Sequence, residues 1–169
     1  MKPLTAFALF AGGAYYLDVI RRPALVAQRA RAAASRRGKP LLNVGAGTKG
    51  SSVRVAVLGP TRWGDVNCDL AGRDAACGGP AVCPCDIEDL PFDDGTFGAV
   101  IASHVLEHVR NPGLALAELA RVADEVFVVT PPWWAPHTWL HPGHLWFVDP
   151  AGKFHPLWQD ARRAARAVL

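Results

Sequence analysis

Residues 41–50 read Leu41-Leu42-Asn43-Val44-Gly45-Ala46-Gly47-Thr48-Lys49-Gly50: a short, mostly apolar run that passes straight into closely spaced glycines. An apolar run ending in a glycine turn is how a buried strand delivers backbone amides to a ligand, because missing side chains let the chain come close. By itself the G-x-G-x-x-G spacing suits a dinucleotide as well as any other adenosine-bearing ligand. The rest of the chain must decide. Further short apolar runs lie at Val66–Cys68, Ala81–Cys83, Ala99–Ala102 and Val126–Thr130, separated by polar or helix-like stretches. That alternation predicts an α/β fold, a doubly wound Rossmann-like, mostly parallel sheet with helices on its faces. Leu114–Ala123 reads as the helix of the last crossover, with Asn111 and Pro112 as its start signals. Only twenty residues follow Asp149, so the sheet is expected to be abbreviated at its carboxyl-terminal end.

The chain has 169 residues, 50% of them hydrophobic and 20% charged, enough for one globular domain with a sizeable core. Its net charge of +3 conceals an asymmetry. Residues 1–39 carry eight basic and one acidic side chain, residues 40–160 seven basic and fourteen acidic, and residues 161–169 three basic. An acidic middle argues against nucleic acid lying across the core, since such binding draws on clustered Lys and Arg. Cys68, Cys77, Cys83 and Cys85 lack the paired C-x-x-C spacing of a zinc ribbon, so the expectation is free thiols in a reducing compartment and no metal.

Residues 1–39 are expected to form a separate N-terminal segment ahead of a domain at 40–169. Pro3–Leu17 is almost wholly apolar or small until Asp18 interrupts it, short for a span that needs about 20 apolar residues. It reads either as a membrane-associated stretch or as an amphipathic or core-packing helix. Residues 21–39 hold seven basic and no acidic side chains on an Ala-rich background. They suit an anionic membrane surface or a solvated linker helix. Membrane contact through residues 4–37 on the cytoplasmic face, with an otherwise cytoplasmic location, is the expectation.

In an open parallel sheet, ligands collect beyond the carboxyl ends of the strands. Three loops compete for that place. The first is the glycine turn. The second is Asp65-Val66-Asn67-Cys68-Asp69-Leu70, where Asp69 stands about as far beyond Gly45 as a ribose-binding carboxylate does, roughly 20 residues. The third runs Cys85-Asp86-Ile87-Glu88-Asp89-Leu90-Pro91-Phe92-Asp93-Asp94-Gly95-Thr96-Phe97 and leads through a strand to Ser103-His104-Val105-Leu106-Glu107-His108-Val109.

Glycine loop, acidic strand end, D-x-x-x-L-P-F-x-D-x-x-F and a strand ending in S-H-V-L-E-H-V, in that order over about residues 41–149, resemble the small-molecule branch of the class I S-adenosylmethionine-dependent methyltransferases, the methyltransferase-11-like group. The resemblance implies S-adenosylmethionine as cofactor. It implies that Gly45, Ala46 and Gly47 approach the cofactor's amino-acid part, and that Asp69, with Leu70 beside it, holds the ribose. Asp86 would take the adenine amino group and Ile87 would lie against the ring. Ser103 and His104 would line the methionine end and the transfer cavity. Methyl transfer from a sulfonium rests mainly on positioning and desolvation, so no nucleophilic triad is expected. The sequence departs from the family at Asn43, where many members carry an acidic residue. The stretch Ser51–Leu58, expected to hold the first helix, reads equally as an irregular strand.

Between Pro131 and Val148 lie Trp133, Trp134, Trp139 and Trp146 with His137, His141 and His144. In the resembling family this region faces the methyl acceptor, and His144-Leu145-Trp146-Phe147 is similar to an H-L-x-F stretch found there. His144 joins His104 as a candidate catalytic base. The tryptophans suit a flat acceptor or a membrane interface, or else a proline-braced, packed lid. A small molecule, a glycan or a lipid headgroup is the expected acceptor. Rival readings are a nicotinamide-dinucleotide-binding protein, resting on the glycine spacing alone, and a noncatalytic adaptor that keeps the fold. A third is a zinc metallohydrolase using His104-Val105-Leu106-Glu107-His108, which matches H-x-x-E-H and would put two imidazoles on one helical face.

Overall fold

The computed structural model describes residues 21–47, 62–74, 79 and 81–157. Pro3–Leu17, the end of the glycine loop at Thr48–Gly50, the stretch Ser51–Leu58, Cys77 and the basic C-terminal residues 161–169 lie outside the described residues.

Helix α1 spans Arg22–Arg37, with Pro23 in its first turn and Gly38 closing it at φ +63 in the left-handed region that glycine favours. Its arginines hide a stripe of small residues. Ala27, Ala30, Ala33 and Ala34 are buried against Leu41, Ala99 and Ile101, so α1 covers one face of the sheet. The expected boundary between residues 39 and 40 falls at no gap in this packing. Several of the basic groups turn toward the core's carboxylates: Arg31 bonds Asp65 at 2.5 Å and the Trp63 carbonyl at 2.6 Å, and Lys39 meets Asp124 at 3.0 Å. Pairs this exposed contribute little stability individually. They do align the helix.

Strands β1 (Leu41–Val44), β2 (Val66–Asp69), β3 (Cys83–Pro84), β4 (Ala99–Ser103) and β5 (Val126–Val129) form one parallel sheet in the order β3-β2-β1-β4-β5. β1 and β4 are buried along their whole length, as central strands covered on both faces must be. Helix α2 (Pro112–Val122) covers the face opposite α1, with Ala115, Leu119 and Val122 against Leu42, Val44, Val100, Ala102 and Phe97. Asn111 caps it by accepting the Leu114 amide at 3.1 Å, and Pro112 opens it, as the sequence predicts. A short helix α3 (Pro136–Leu140) and an antiparallel ribbon of β6 (Trp146–Val148) and β7 (Phe154–Pro156) come next. Among the described residues the main sheet stops at β5, in line with an abbreviated carboxyl-terminal end.

Two expectations change. β3 begins at Cys83 rather than Ala81 and is only two residues long; Pro84 lacks an N–H for a further partner, which suits this strand to the sheet's edge. The cysteines among the described residues are not free thiols. Cys68 in β2 and Cys85 just past β3 form a disulfide with Cα atoms 5.6 Å apart, and Cys83 is disulfide-bonded as well. Parallel pairing of β2 with β3 brings these positions side by side, Cys68 opposite Cys83.

Candidate cofactor and acceptor site

Strand order reverses between β1 and β4, since chain connections run outward from there on both sides. A crevice therefore opens beyond their carboxyl ends. Gly45 and Gly47 turn the chain there at φ +72 and +76. The Gly45 and Ala46 amides donate to the Cys68 carbonyl at 2.9 and 3.1 Å, fastening the loop to the end of β2. A side chain at Gly45 would run into the Val105 methyls, so glycine is required by space as well as by conformation. The Gly47 amide donates to Asp69 Oδ2 and the Ala71 amide to Oδ1, both at 2.9 Å. A carboxylate has about four acceptor positions, so after ordering both loops Asp69 keeps acceptor capacity for hydroxyl groups.

The other expected cofactor residues are distributed unevenly. Leu70 is 78% exposed at the mouth of this crevice. Asp86 is exposed beyond β3, with Oδ1 accepting the Glu88 amide at 2.9 Å. Ile87 points the other way, into the core beside Leu90 and Phe97. The loop carrying Asp86 is pinned to α2. Arg121 donates to the carbonyls of Leu90 and Phe92 and to Asp94, while Glu118 accepts the Leu90 amide at 2.8 Å and the Nε and Nη2 groups of Arg121. Hydrogen bonding from Arg121 holds the Glu118 carboxyl down at about 2.

Ser103 ends β4 and His104 follows at φ +58, the single non-glycine left-handed residue among the described residues. Strain of this kind, costing about 1–3 kcal/mol, gathers at binding sites. Ser103 Oγ, His104 Nε2 and both Glu107 carboxylate oxygens are buried and make no hydrogen bond among the described residues. Glu107 is 1% exposed, and the imidazole nearest its carboxylate is that of His104, with Nδ1 at 3.3 Å. Buried polar atoms nearly always find partners. A concentration of unpartnered ones on the turn after β4, beside the glycine loop, is the signature of a place where a polar ligand completes the bonding. Asn43, by contrast, is absorbed into the scaffold: it is buried in β1 and donates to Asn67 Oδ1 at 3.0 Å across the β1–β2 pair.

Residues 42–125 match the family model described as a methyltransferase domain. The chain belongs to this class I methyltransferase family. No curated protein matches it. The matched span of the methyltransferase domain contains the glycine loop, Asp69, Asp86, Ser103 and His104; it leaves α1, β5 and the Trp- and His-rich segment outside.

That segment lines a cavity together with Leu106 from the turn after β4. Trp133 and Trp134 are each 47% exposed beside a cavity of about 490 Å3 that Leu106, Thr130, Asp149 and Phe154 also line. Trp146 instead donates its Nε1 to the Val109 carbonyl at 2.9 Å, and Trp139 to the Trp133 carbonyl at 2.6 Å. The segment is thus packed through Trp146, while Trp133, Trp134 and Trp139 stay exposed. The H-x-x-E-H reading fails on geometry. Residues 104–109 form a turn, not a helix, so His104 faces Glu107 while His108 bonds the Gly143 carbonyl at 2.8 Å. His144 is 6% exposed, with Nδ1 3.0 Å from the Thr138 carbonyl. Burial keeps its imidazole below the usual histidine range. The sequence presents Glu107 and His108 only within the H-x-x-E-H pattern, and the meeting of His108 with His141 and His144 is not legible there; the spacing of histidines around one glycine, His141, Gly143 and His144, is the available signal.

Proposed function

We propose that this methyltransferase domain uses S-adenosylmethionine, held beyond the carboxyl ends of β1, β2 and β4, and transfers its methyl group to a small molecule, glycan or lipid headgroup received in the tryptophan-lined cavity. When bound, the cofactor supplies a methyl group already activated on a sulfonium. The carrying observation is the cluster of unpartnered buried atoms at Ser103, His104 and Glu107 next to a glycine loop that Asp69 orders. Gly45, Ala46 and Gly47 give close backbone approach, and Asp69 and Asp86 offer carboxylates to hydroxyl and amino groups. Glu107 supplies the negative charge that Asn43 does not. Ser103 and the buried Leu106 exclude water, which strengthens every polar contact inside. Of the two candidate bases, His104 has the open buried nitrogen, Nε2, placed to accept an acceptor's proton; His144 turns toward other imidazoles. The 47% exposure of Trp133 and Trp134 favours a flat or amphipathic acceptor.

Isothermal titration with S-adenosylmethionine, S-adenosylhomocysteine and nicotinamide dinucleotides tests this reading. Binding of the two sulfur compounds supports it. Binding of a dinucleotide alone, or of nothing at millimolar concentration, overturns it and favours the dinucleotide or adaptor reading.

The location proposed is cytoplasmic, with residues 4–37 resting on an anionic membrane face. Among the described residues no helix is long and apolar enough to cross a membrane. Exposed Leu25 and Arg29 share one outward face of α1, which suits surface contact. The disulfides pull the other way, toward an oxidising compartment.

A further inference from the structure

We propose that His108, His141 and His144 form a site for one divalent transition-metal ion, with zinc the best-fitting ion. The three side chains come from separate places in the chain: the turn after β4 and the loop after α3. Their ligand atoms all lie within 4.8 Å of one another, and no other such group occurs among the described residues. The His141 and His144 rings stack with centroids 4.4 Å apart, and His108 meets His144 at 4.8 Å and His141 at 5.4 Å.

Orientation favours ligation over simple stacking. A metal-binding histidine generally donates its second ring N–H to a carbonyl or carboxylate, which fixes the tautomer and turns the other nitrogen's lone pair to the ion. His108 Nδ1 lies 2.8 Å from the Gly143 carbonyl and His144 Nδ1 lies 3.0 Å from the Thr138 carbonyl, so both rings present Nε2. His141 accepts the Gly143 amide on Nδ1 at 3.1 Å, a weak bond it gives up or exchanges on ligation. Gly143 therefore touches two of the three rings through its own backbone.

Charge points the same way. The Glu107 carboxylate precedes His108, is 1% exposed and makes no hydrogen bond among the described residues. Its negative charge reaches His141 and His144. A buried carboxylate so poorly paired is costly, and a cation held by neighbouring imidazoles offsets that cost. Imidazole nitrogens suit zinc, copper and nickel, whereas magnesium and calcium want oxygen. With Zn–N bonds of about 2.0–2.1 Å, tetrahedral ligands stand roughly 3.4 Å apart. From the present 4.8 Å the triad must close by about 1.4 Å at its widest, which the exposed His108 and His141 have space to do. A bound ion would tie the turn carrying Ser103 and His104 to the segment carrying the tryptophans, fixing cofactor wall to acceptor wall. It is a different set from the H-x-x-E-H pair, and it does not depend on which cofactor the domain binds.

The test uses the full chain without a polyhistidine tag, stripped of metal by a chelator. Zinc is titrated calorimetrically, and cobalt is added as a spectroscopic probe. One equivalent of each should bind, cobalt should give the intense visible bands of four-coordination, and zinc should raise the melting temperature. His141→Asn and His108→Asn, both exposed positions, should each weaken zinc binding more than about 100-fold and abolish the melting shift. His104→Asn and His155→Asn should bind zinc as wild type does. Absence of stoichiometric binding in the wild type, or undiminished binding in both the His141 and His108 variants, would overturn the proposal. So would loss of binding in the His104 variant with His141→Asn unaffected, which would restore the H-x-x-E-H pair.

Discussion

Replacing Gly45 by alanine puts two separate strains into the glycine loop, and the structure allows them to be measured apart. The first is conformational: at φ +72 a Cβ costs about 1–2 kcal/mol relative to glycine. The second is steric. The new methyl would overlap Val105 Cγ2, and overpacking of that kind typically costs about 1–3 kcal/mol. Together they amount to roughly 2–5 kcal/mol, a large part of an ordinary domain's stability of about 5–15 kcal/mol. Val105→Ala alone removes two partly buried methyls, for about 1.6 kcal/mol. In the double variant the offending methyl is gone, so the steric part vanishes while the conformational part stays. Urea unfolding of wild type, both single variants and the double variant closes the cycle, with an expected favourable coupling of about 1–3 kcal/mol. Gly45→Ala as stable as wild type, or a coupling energy near zero, would refute the close approach of the β1 loop to the turn after β4.

Three further outcomes rest on other contacts. Glu118 has its carboxyl held at about 2 against an ordinary 4.5 by Arg121; a depressed carboxylate stabilises above its unfolded value, so thermal stability should fall as pH drops from about 4.5 toward 2. In Glu118→Gln that slope should flatten, and an unchanged slope would contradict the pairing. Without reductant, Cys68 and Cys85 should resist thiol reagents in the folded protein, and Cys85→Ala should cost about 3 kcal/mol for a loop of 17 residues; ready labelling of both would disprove the link. For membrane contact, cells expressing the full chain should show it in the membrane fraction while a version beginning at Arg21, which keeps α1 on the sheet, moves to the supernatant. Equal distribution of both would end that proposal.

The strands are legible in the sequence because their apolar runs are short and separated by polar or helix-like stretches, and α2 is legible because Asn111 and Pro112 mark its start by local chemistry alone. The features that escape a sequence reading depend on distant partners. The arginines of α1 suggest a solvated or membrane-lying helix, although Ala27, Ala30 and Ala34 already trace a helical stripe small enough to lie close on a sheet. The cysteines lack metal spacing and so read as free thiols, whereas Cys68 and Cys85 meet only because β2 pairs with β3. The H-x-x-E-H motif presumes a helix; His104 at φ +58 breaks it and sends His108 to His141 and His144 instead. The family resemblance puts Ile87 on the ligand, but its neighbours Leu90 and Phe97 draw it into the core. Asn43 reads as a weakened cofactor contact until its partner Asn67 places it inside the scaffold.

Equilibrium dialysis of radiolabelled S-adenosylmethionine against wild type and Asp69→Ala tests the cofactor assignment most directly. Asp69 both orders the glycine loop, through the Gly47 amide, and keeps acceptor capacity for hydroxyl groups, and hydrogen bonds to a charged group are worth about 1.5–3 kcal/mol each. One equivalent should bind to wild type, and the Asp69 variant, still folded by circular dichroism, should bind at least about tenfold more weakly. Failure of the wild type to bind, or equal affinity in the folded variant, would contradict the placement of S-adenosylmethionine beyond β1 and β2.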